Sequence, residues 1–186
     1  IALPADSQPR WIAVRDFDGD GKDDIVTANS NLNSVSVLRN TGTGEGAISF
    51  APPVNFTAGD NPYFVATADF DNDGKFDIAV VNRFSDSISI LKNNSPATGQ
   101  ISFEAKIDFN VGSNPTSLTI NDFNADGSPD IAVANSNDGS ISVLENITRR
   151  RQISFADKKD FIVNSQPLFI ASADFDGDGK PDIAVT

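Results

Sequence analysis

The stretch DFDGDGKDDIV, residues 16–26, places five carboxylates within nine residues, Asp16, Asp18, Asp20, Asp23 and Asp24, and runs straight into an apolar strand-like segment. At an effective dielectric of about 20, two such charges about 4 Å apart repel by about 4 kcal/mol. Such a loop persists only if something offsets that repulsion. Its copies return at Asp69, Asp122 and Asp174 as DFDNDGKFDIAVVNR, DFNADGSPDIAVANS and DFDGDGKPDIAVT.

The similarity extends on both sides of each loop. Upstream stand QPRWIAVR, NPYFVATA, NPTSLTIN and QPLFIASA; downstream stand SVSVLRN, SISILKN and SISVLEN, then AISF, QISF and QISF. A period of about fifty residues, maintained over nearly the whole chain, marks a repeat architecture. Each unit divides into four strand-length pieces. In the second copy these are Phe64–Ala68, Ile78–Val81, the Ser/Ile alternation Ser87–Leu91 and the more polar Ile101–Phe109. Gly, Asn, Asp and Pro clusters connect them, and no stretch sustains a helical period.

An all-β chain of repeated four-stranded antiparallel units is expected to be a β-propeller, with about three and a half blades here. A row of separate sandwiches would need more strands per unit. The chain reads as a single propeller region, 1–186, with blades over 8–60, 61–113 and 114–165 and a partial blade over 166–186. A fourth strand of a preceding blade is expected at Ile1–Leu3. The small residues of the first strands (Ala13, Ala66, Ala68, Ala171, Ala173) suit a crowded axis, and the Phe residues suit the faces packed between blades.

The acidic loop has a specific chemistry. In the first copy, oxygen-bearing side chains fall at positions one, three, five and nine: Asp16, Asp18, Asp20 and Asp24. A glycine at position six permits the turn, and Lys22 at position seven can offer its carbonyl with its side chain directed away. Hard oxygen donors alternating around a glycine turn suit calcium. The second copy supplies Asp69, Asp71, Asp73, Asp77 and the carbonyl of Lys75. The third supplies Asp122, Asn124, Asp126, Asp130 and the carbonyl of Ser128, and the fourth Asp174, Asp176, Asp178, Asp182 and the carbonyl of Lys180. An EF-hand is excluded, because position twelve is Thr27, Val80, Val133 or Val185 and not a bidentate Glu. Magnesium resists dehydration and rarely uses an all-protein cage. Asp23 has no acidic counterpart (Phe76, Pro129, Pro181) and is expected in solvent. Four divalent ions would bring the formal charge of −12 to about −4. The opposing reading is a set of Asx-turns that stand without metal.

Composition narrows the functions. The acidic balance argues against nucleic acid and against an anionic membrane surface, and no segment is apolar enough to cross a bilayer. The absence of Cys and His removes disulfides, thiol nucleophiles and imidazole chemistry. No catalytic constellation emerges; Glu104 and Glu145 are candidates only by elimination. Arg149, Arg150 and Arg151 form the only basic cluster, read as a solvated hairpin or as a grip on an acidic partner. Trp11, matched by Phe64, Ser117 and Phe169, is expected in core or blade-face packing. The sequons at Asn55, Asn93 and Asn146 are surface-compatible.

The DxDxDGxxD core with its following IAV strand resembles the FG-GAP/VCBS-type repeat, the blade unit of integrin-α-like propellers. The resemblance covers almost the entire chain. It implies a propeller, commonly seven-bladed, with calcium in a hairpin loop of each blade, in proteins that are mostly extracellular or on the cell surface. Such proteins serve adhesion, protein binding or carbohydrate binding, sometimes as an accessory domain of an enzyme. The Gly-Ala-Pro element of the family's name has no counterpart here, which places the chain nearer the bacterial-type repeats. The expected function is thus a calcium-stabilised, non-enzymatic recognition module for a protein or glycan. The alternatives are an accessory or catalytic propeller of a polysaccharide-acting enzyme and a structural spacer in a surface protein. Closing the ring is expected to need further repeats of a longer chain or a second copy.

Overall fold

The computed structural model describes residues 2–44, 46–164 and 166–186. Within them the chain forms fourteen strands and no helix. Strands β1 (Pro9–Arg15), β2 (Asp24–Asn29), β3 (Ser34–Leu38) and β4 (Val54–Thr57) make the first sheet. Strands β5 (Pro62–Ala68), β6 (Asp77–Asn82), β7 (Ser87–Leu91) and β8 (Ile107–Asn110) make the second. Strands β9 (Pro115–Asn121), β10 (Asp130–Asn135), β11 (Ser140–Leu144) and β12 (Lys159–Ile162) make the third, and β13 (Ile170–Ala173) with β14 (Asp182–Val185) a two-stranded fourth. Every pairing is antiparallel between chain neighbours, the up-and-down order of propeller blades.

Burial follows strand position. Every residue of β6 and β10 is buried, since a central strand flanked by two blades has no wet face. That explains their near-continuous apolar runs, IAVV and IAVA. The outer strands β4, β8 and β12 are mostly exposed. Between blades one and two, Phe103 packs edge-on against Phe17 and Phe56, with ring centroids at 5.6 and 5.0 Å. Between blades two and three, Phe155 does the same with Phe70 and Phe109, at 5.6 and 5.0 Å. The inter-blade packing expected of the Phe residues is therefore present twice, in the same geometry.

A polar ladder runs from the buried second strand to the outer strand of each four-stranded sheet. Asn29 donates to Ser36 Oγ (2.7 Å), which donates to Asn55 Oδ1 (2.6 Å). Asn82, Ser89 and Asp108 repeat the pattern, as do Asn135, Ser142 and Asp160. This accounts for the Ser residues that alternate with Ile in the third strands: their hydroxyls are satisfied inside the sheet. Gly112 lies so near blade three that a Cβ there would fall 2.6 Å from Asn135 Cγ.

Two expectations change and a third holds in part. Residues 2 and 3 form no strand, and Ile1 lies outside the described residues. The fourth strand of blade two shrinks to Ile107–Asn110, because residues 101–106 are irregular and meet the end of the third strand only through the isolated bridge Asn93–Phe103 and the hydrogen bonds beside it. Trp11 has the expected blade-face packing, stacked on Phe64 of the next blade at 4.4 Å and meeting Phe169, just ahead of β13, at 6.0 Å, yet it stays 40 % exposed.

Candidate functional site

Each acidic loop joins the inner strand of a blade to the second strand and is organised by its own backbone. Asp16 Oδ1 accepts the N–H groups of Gly19 (2.8 Å) and Asp20 (3.2 Å), and Oδ2 accepts that of Gly21 (2.8 Å). Asp69, Asp122 and Asp174 wrap their loops in the same way. The turn needs positive φ at position six, occupied by Gly21, Gly74, Gly127 and Gly179, and also at position four, occupied by Gly19, Asn72, Ala125 and Gly177. Position four is invisible as a motif because Gly, Asn and Ala share it. Ala125 at φ 60° bears the strain of an L side chain in the left-handed region.

Position nine is the anchor. Asp24 Oδ2 accepts the Phe17 N–H (3.0 Å) and Oδ1 the Asn40 N–H (2.7 Å). Asp77 receives the same pair from Phe70 and Asn93, and Asp130 from Phe123 and Asn146. One carboxylate thus ties the loop to the end of the third strand.

The carboxylates at positions one, three and nine converge. Asp16, Asp18 and Asp24 each bring one oxygen within 4.8 Å of the others, as do Asp69, Asp71 and Asp77, and Asp174, Asp176 and Asp182. In the third loop Asn124 stands at position three, and its amide donates to Asp126 Oδ2 at 3.0 Å. Asp122 and Asp130 are left as the acids of that set. The position-five residues are not among the convergent carboxylates. Asp20, Asp73, Asp126 and Asp178 instead accept the backbone N–H two residues on, from Lys22, Lys75, Ser128 and Lys180.

The lysine side chains do not all point away as expected. Lys22 Nζ folds back onto Asp20 Oδ2 and Lys180 Nζ onto Asp178 Oδ2, both at 3.0 Å, because a four-carbon stem brings its ammonium to the nearest carboxylate. Lys75 Nζ donates to the Ser95 carbonyl at 2.8 Å, beside a cavity of about 190 Å³ between the first two acidic loops. Asp23 is exposed, as expected.

Electrostatics record the crowding. Burial pushes the Asp24 carboxyl up to about 6; the N–H groups of Asn40 and Phe17 oppose this, and Asp18 and Asp16 add to it. Burial pushes Asp77 up to about 7, again against two N–H bonds and with help from Asp71 and Asp69. Asp130 moves up for the same first reason. For Asp20 burial is the largest single influence and raises it, but the hydrogen bonds and charge of Lys22, with the charge of Arg39, together outweigh it and move the carboxyl down.

Asp71 is the most exposing test of metal fit. Its side chain is fully buried, and Lys92 Nζ lies 2.5 Å from Oδ2. Oδ2 is thus paired with an ammonium, while Oδ1 has no hydrogen-bond partner among the described residues. The same contact raises the Lys92 ammonium above its ordinary range. Asp18, its counterpart, does have a partner: Gly99 N–H of the next blade, at 2.8 Å. A buried carboxylate oxygen without a hydrogen-bond partner, Asp71 Oδ1, beside two further carboxylates matches the hard-oxygen donor set of calcium.

Sequence reasoning missed the asparagines that end the third strands. Asn93 and Asn146 are 1 % and 3 % exposed. Asn93 Nδ2 donates to Phe17 O (2.9 Å) in the previous blade and Phe76 O (3.0 Å) in its own; Asn146 Nδ2 donates to Phe70 O (3.0 Å) and Pro129 O (3.1 Å). Their Oδ1 atoms accept Ser95 and Thr148 N–H, which explains the sequon-like spacing as a local turn. The surface expectation fails for these two. Asn55 remains exposed.

Repeated four-stranded antiparallel blades with an acidic hairpin between the first two strands define a propeller-type repeat protein. The FG-GAP-like repeat profile matches residues 16–80, 73–133 and 122–185, and the chain belongs to that family. No curated protein matches the chain. Among solved structures, one titled "Crystal structure of BBS1N in complex with ARL6DN, soaked with lead" aligns with a TM-score of 0.59 at 17 % identity. The alignment covers 94 % of this chain and 49 % of that one, so the chain spans about half the length of that structure. At this identity the likeness supports the fold. No helix is long and apolar enough to cross a membrane among the described residues.

Proposed function

We propose that this chain is a calcium-stabilised propeller module that presents its loops for extracellular recognition of a protein or a glycan, without catalysis. The observation that carries the reading is the convergence of positions one, three and nine, with Asp71 buried and its Oδ1 without a hydrogen-bond partner among the described residues. Asp16, Asp18 and Asp24 would hold one ion, and the corresponding trios a second and a fourth. Asp122, Asn124 and Asp130 offer a third site of lower charge. When bound, calcium supplies two positive charges that offset the carboxylate repulsion in each loop.

The rest of the mechanism belongs to the chain. The position-one Asp shapes the turn, and the position-nine Asp clamps the loop to the third strand. The asparagine that follows the third strand then hands the loop to the neighbouring blade. A rigid loop face is what a recognition surface needs, since side chains ordered in advance lose less entropy on binding. Repeated polar chemistry spent on these loops supports a structural role over a catalytic one, and the extracellular setting follows from the family's habit. Calcium titration of chelator-treated protein tests the reading: uptake with a rise in Tm supports it, and neither refutes it.

A further inference from the structure

We infer that the turn joining β6 to β7, with the inner-strand starts beside it, is a docking site for an acidic segment of a partner protein, one that presents a carboxylate next to an apolar side chain. The inference deepens the recognition reading and rests on it for the existence of a ligand, and not on calcium. Its starting point is the place where the repeat breaks. The turn after the second strand reads SNLN at residues 30–33 and SNDG at 136–139, but RFSD at 83–86. Ser30 and Ser136 spend their hydroxyls on the connector ahead of the inner strand, donating to Gln8 O and Asn114 O, both at 3.0 Å. Arg83 takes that place in blade two, which lies between two complete four-stranded sheets. The position after the inner-strand proline is equally irregular: Arg10, Tyr63, Thr116 and Leu168.

These exceptions meet. The Cζ of Arg83 lies 4.9 Å from the centroid of the Tyr63 ring, and that of Arg10 lies 6.0 Å from it. Each guanidinium is aimed by its Nε. Arg83 Nε donates to Asn114 Oδ1 at 2.6 Å, and the Asn114 amide is itself held by Ser136 Oγ and Asn137 Oδ1. Arg10 Nε donates to Ser30 Oγ at 3.3 Å. Beyond these bonds, the terminal nitrogens of both arginines and the Tyr63 hydroxyl have no hydrogen-bond or ion-pair partner among the described residues. The acids of the same turns are engaged elsewhere: Asp60 accepts the Asn33 amide, Asp86 the Asn114 N–H and Asp138 the Ser113 N–H. In a chain with a net charge of −12, two oriented guanidinium groups are thus left without a carboxylate. Their free N–H forks suit a carboxylate brought by a partner.

Phe84 supplies the apolar half. Its ring is 70 % exposed, at the position where the neighbouring blades carry Asn31 and Asn137. The turn beneath it is fixed by backbone bonds: Phe84 N–H donates to Asp60 O and Arg83 N–H to Asn61 O, both at 3.1 Å. Asn61 N–H in turn reaches Asn33 Oδ1 of blade one at 3.0 Å. An aromatic ring held out on a fixed turn loses little freedom when a partner covers it. Arginine, tyrosine and phenylalanine are also the residues that protein interfaces concentrate. An acidic glycan is the weaker fit, because the Tyr63 ring that would stack on a sugar already carries guanidinium groups. Oriented cations, a free hydroxyl and an exposed ring around one turn call for an Asp or Glu beside an apolar residue.

The test selects binders to the whole chain from a displayed library of random linear peptides, then measures the selected peptides, synthesised and labelled, by fluorescence anisotropy. They should pair an acid with a neighbouring apolar residue, and their binding should weaken as salt rises. Arg10→Gln, Arg83→Lys and Phe84→Ser should each lower affinity at least about tenfold. Arg149→Gln, in the arginine cluster of blade three, should leave it unchanged. Arg10 and Phe84 are exposed, so their variants should keep the melting temperature of the parent and separate binding from folding. Selected peptides that lack an acid, or that bind all three variants as well as the parent, would overturn the inference while recognition through another surface stands. Binding of an oligogalacturonate probe with no peptide selected would overturn the protein assignment in favour of a glycan. Binding of neither would overturn the inference together with the recognition reading.

Discussion

Asn93 donates its side-chain amide to the carbonyl of Phe17, 2.9 Å away and 76 residues earlier in the chain. The same amide also holds Phe76 O, and the backbone N–H of Asn93 holds Asp77. One buried residue thus joins two acidic loops of neighbouring blades. Replacing it leaves two carbonyls without a donor, so Asn93→Ala should destabilise the protein by about 1–3 kcal/mol. Asn40→Ala serves as the comparison, since the Asn40 amide holds only Asp23 O at an exposed site. Urea unfolding of both variants checks the difference; equal losses would contradict it.

The burial of Asn93 and Asn146 also sets which sequons can carry sugar. Glycosylated expression in a eukaryotic secretory host should modify Asn55 and leave the other two bare in folded protein. Intact-mass measurement before and after enzymatic deglycosylation reads this directly.

Lys92 acts as an internal counter-ion to Asp71. Lys92→Met should destabilise the chelated protein by about 3 kcal/mol, because it strands a buried carboxylate. It should also strengthen calcium uptake at that loop, since the ammonium no longer competes. Calorimetric titration beside a melting curve separates the two effects. A variant that loses stability equally with and without calcium would contradict them.

Ala125 occupies a left-handed position that glycine fills in the first and fourth loops. Ala125→Gly should stabilise the protein by up to about 1 kcal/mol. A shift of about 2–4 °C in Tm is the expected size for a chain of this length.

In chelator, stability should depend on pH through Asp24 and Asp77. Their folded carboxyls titrate near 6 and near 7, above the ordinary 3.8. A carboxyl raised in the folded state binds its proton more tightly there than when unfolded. Its ionisation therefore costs stability, which should fall as pH rises from about 4 to above 7. Urea unfolding from pH 4.5 to 8 checks the slope, and Asp77→Asn should flatten it. Saturating calcium should reverse the trend over the same range.

The fold was legible because the sequence states it four times. One DxDxDGxxD loop is compatible with an Asx-turn; four in register, each followed by a buried-type strand, leave few architectures. Glycine at position six was legible because only glycine occupies it, whereas position four hides among Gly, Asn and Ala. The lysines misled because backbone spacing says nothing of where a flexible ammonium settles. Asn93 and Asn146 misled most, since their partners lie in the previous blade and a local turn imitates a sequon. Loop chemistry is local and could be read; the stitching between blades is not, and needed the structure.

The most direct test of the central claim is isothermal calorimetry of chelator-treated protein titrated with calcium, paired with Tm. The account predicts uptake of up to four ions, with affinity lost at one site in Asp71→Asn, and a Tm that rises with calcium. Heat-silent titration with an unchanged melting curve would contradict it.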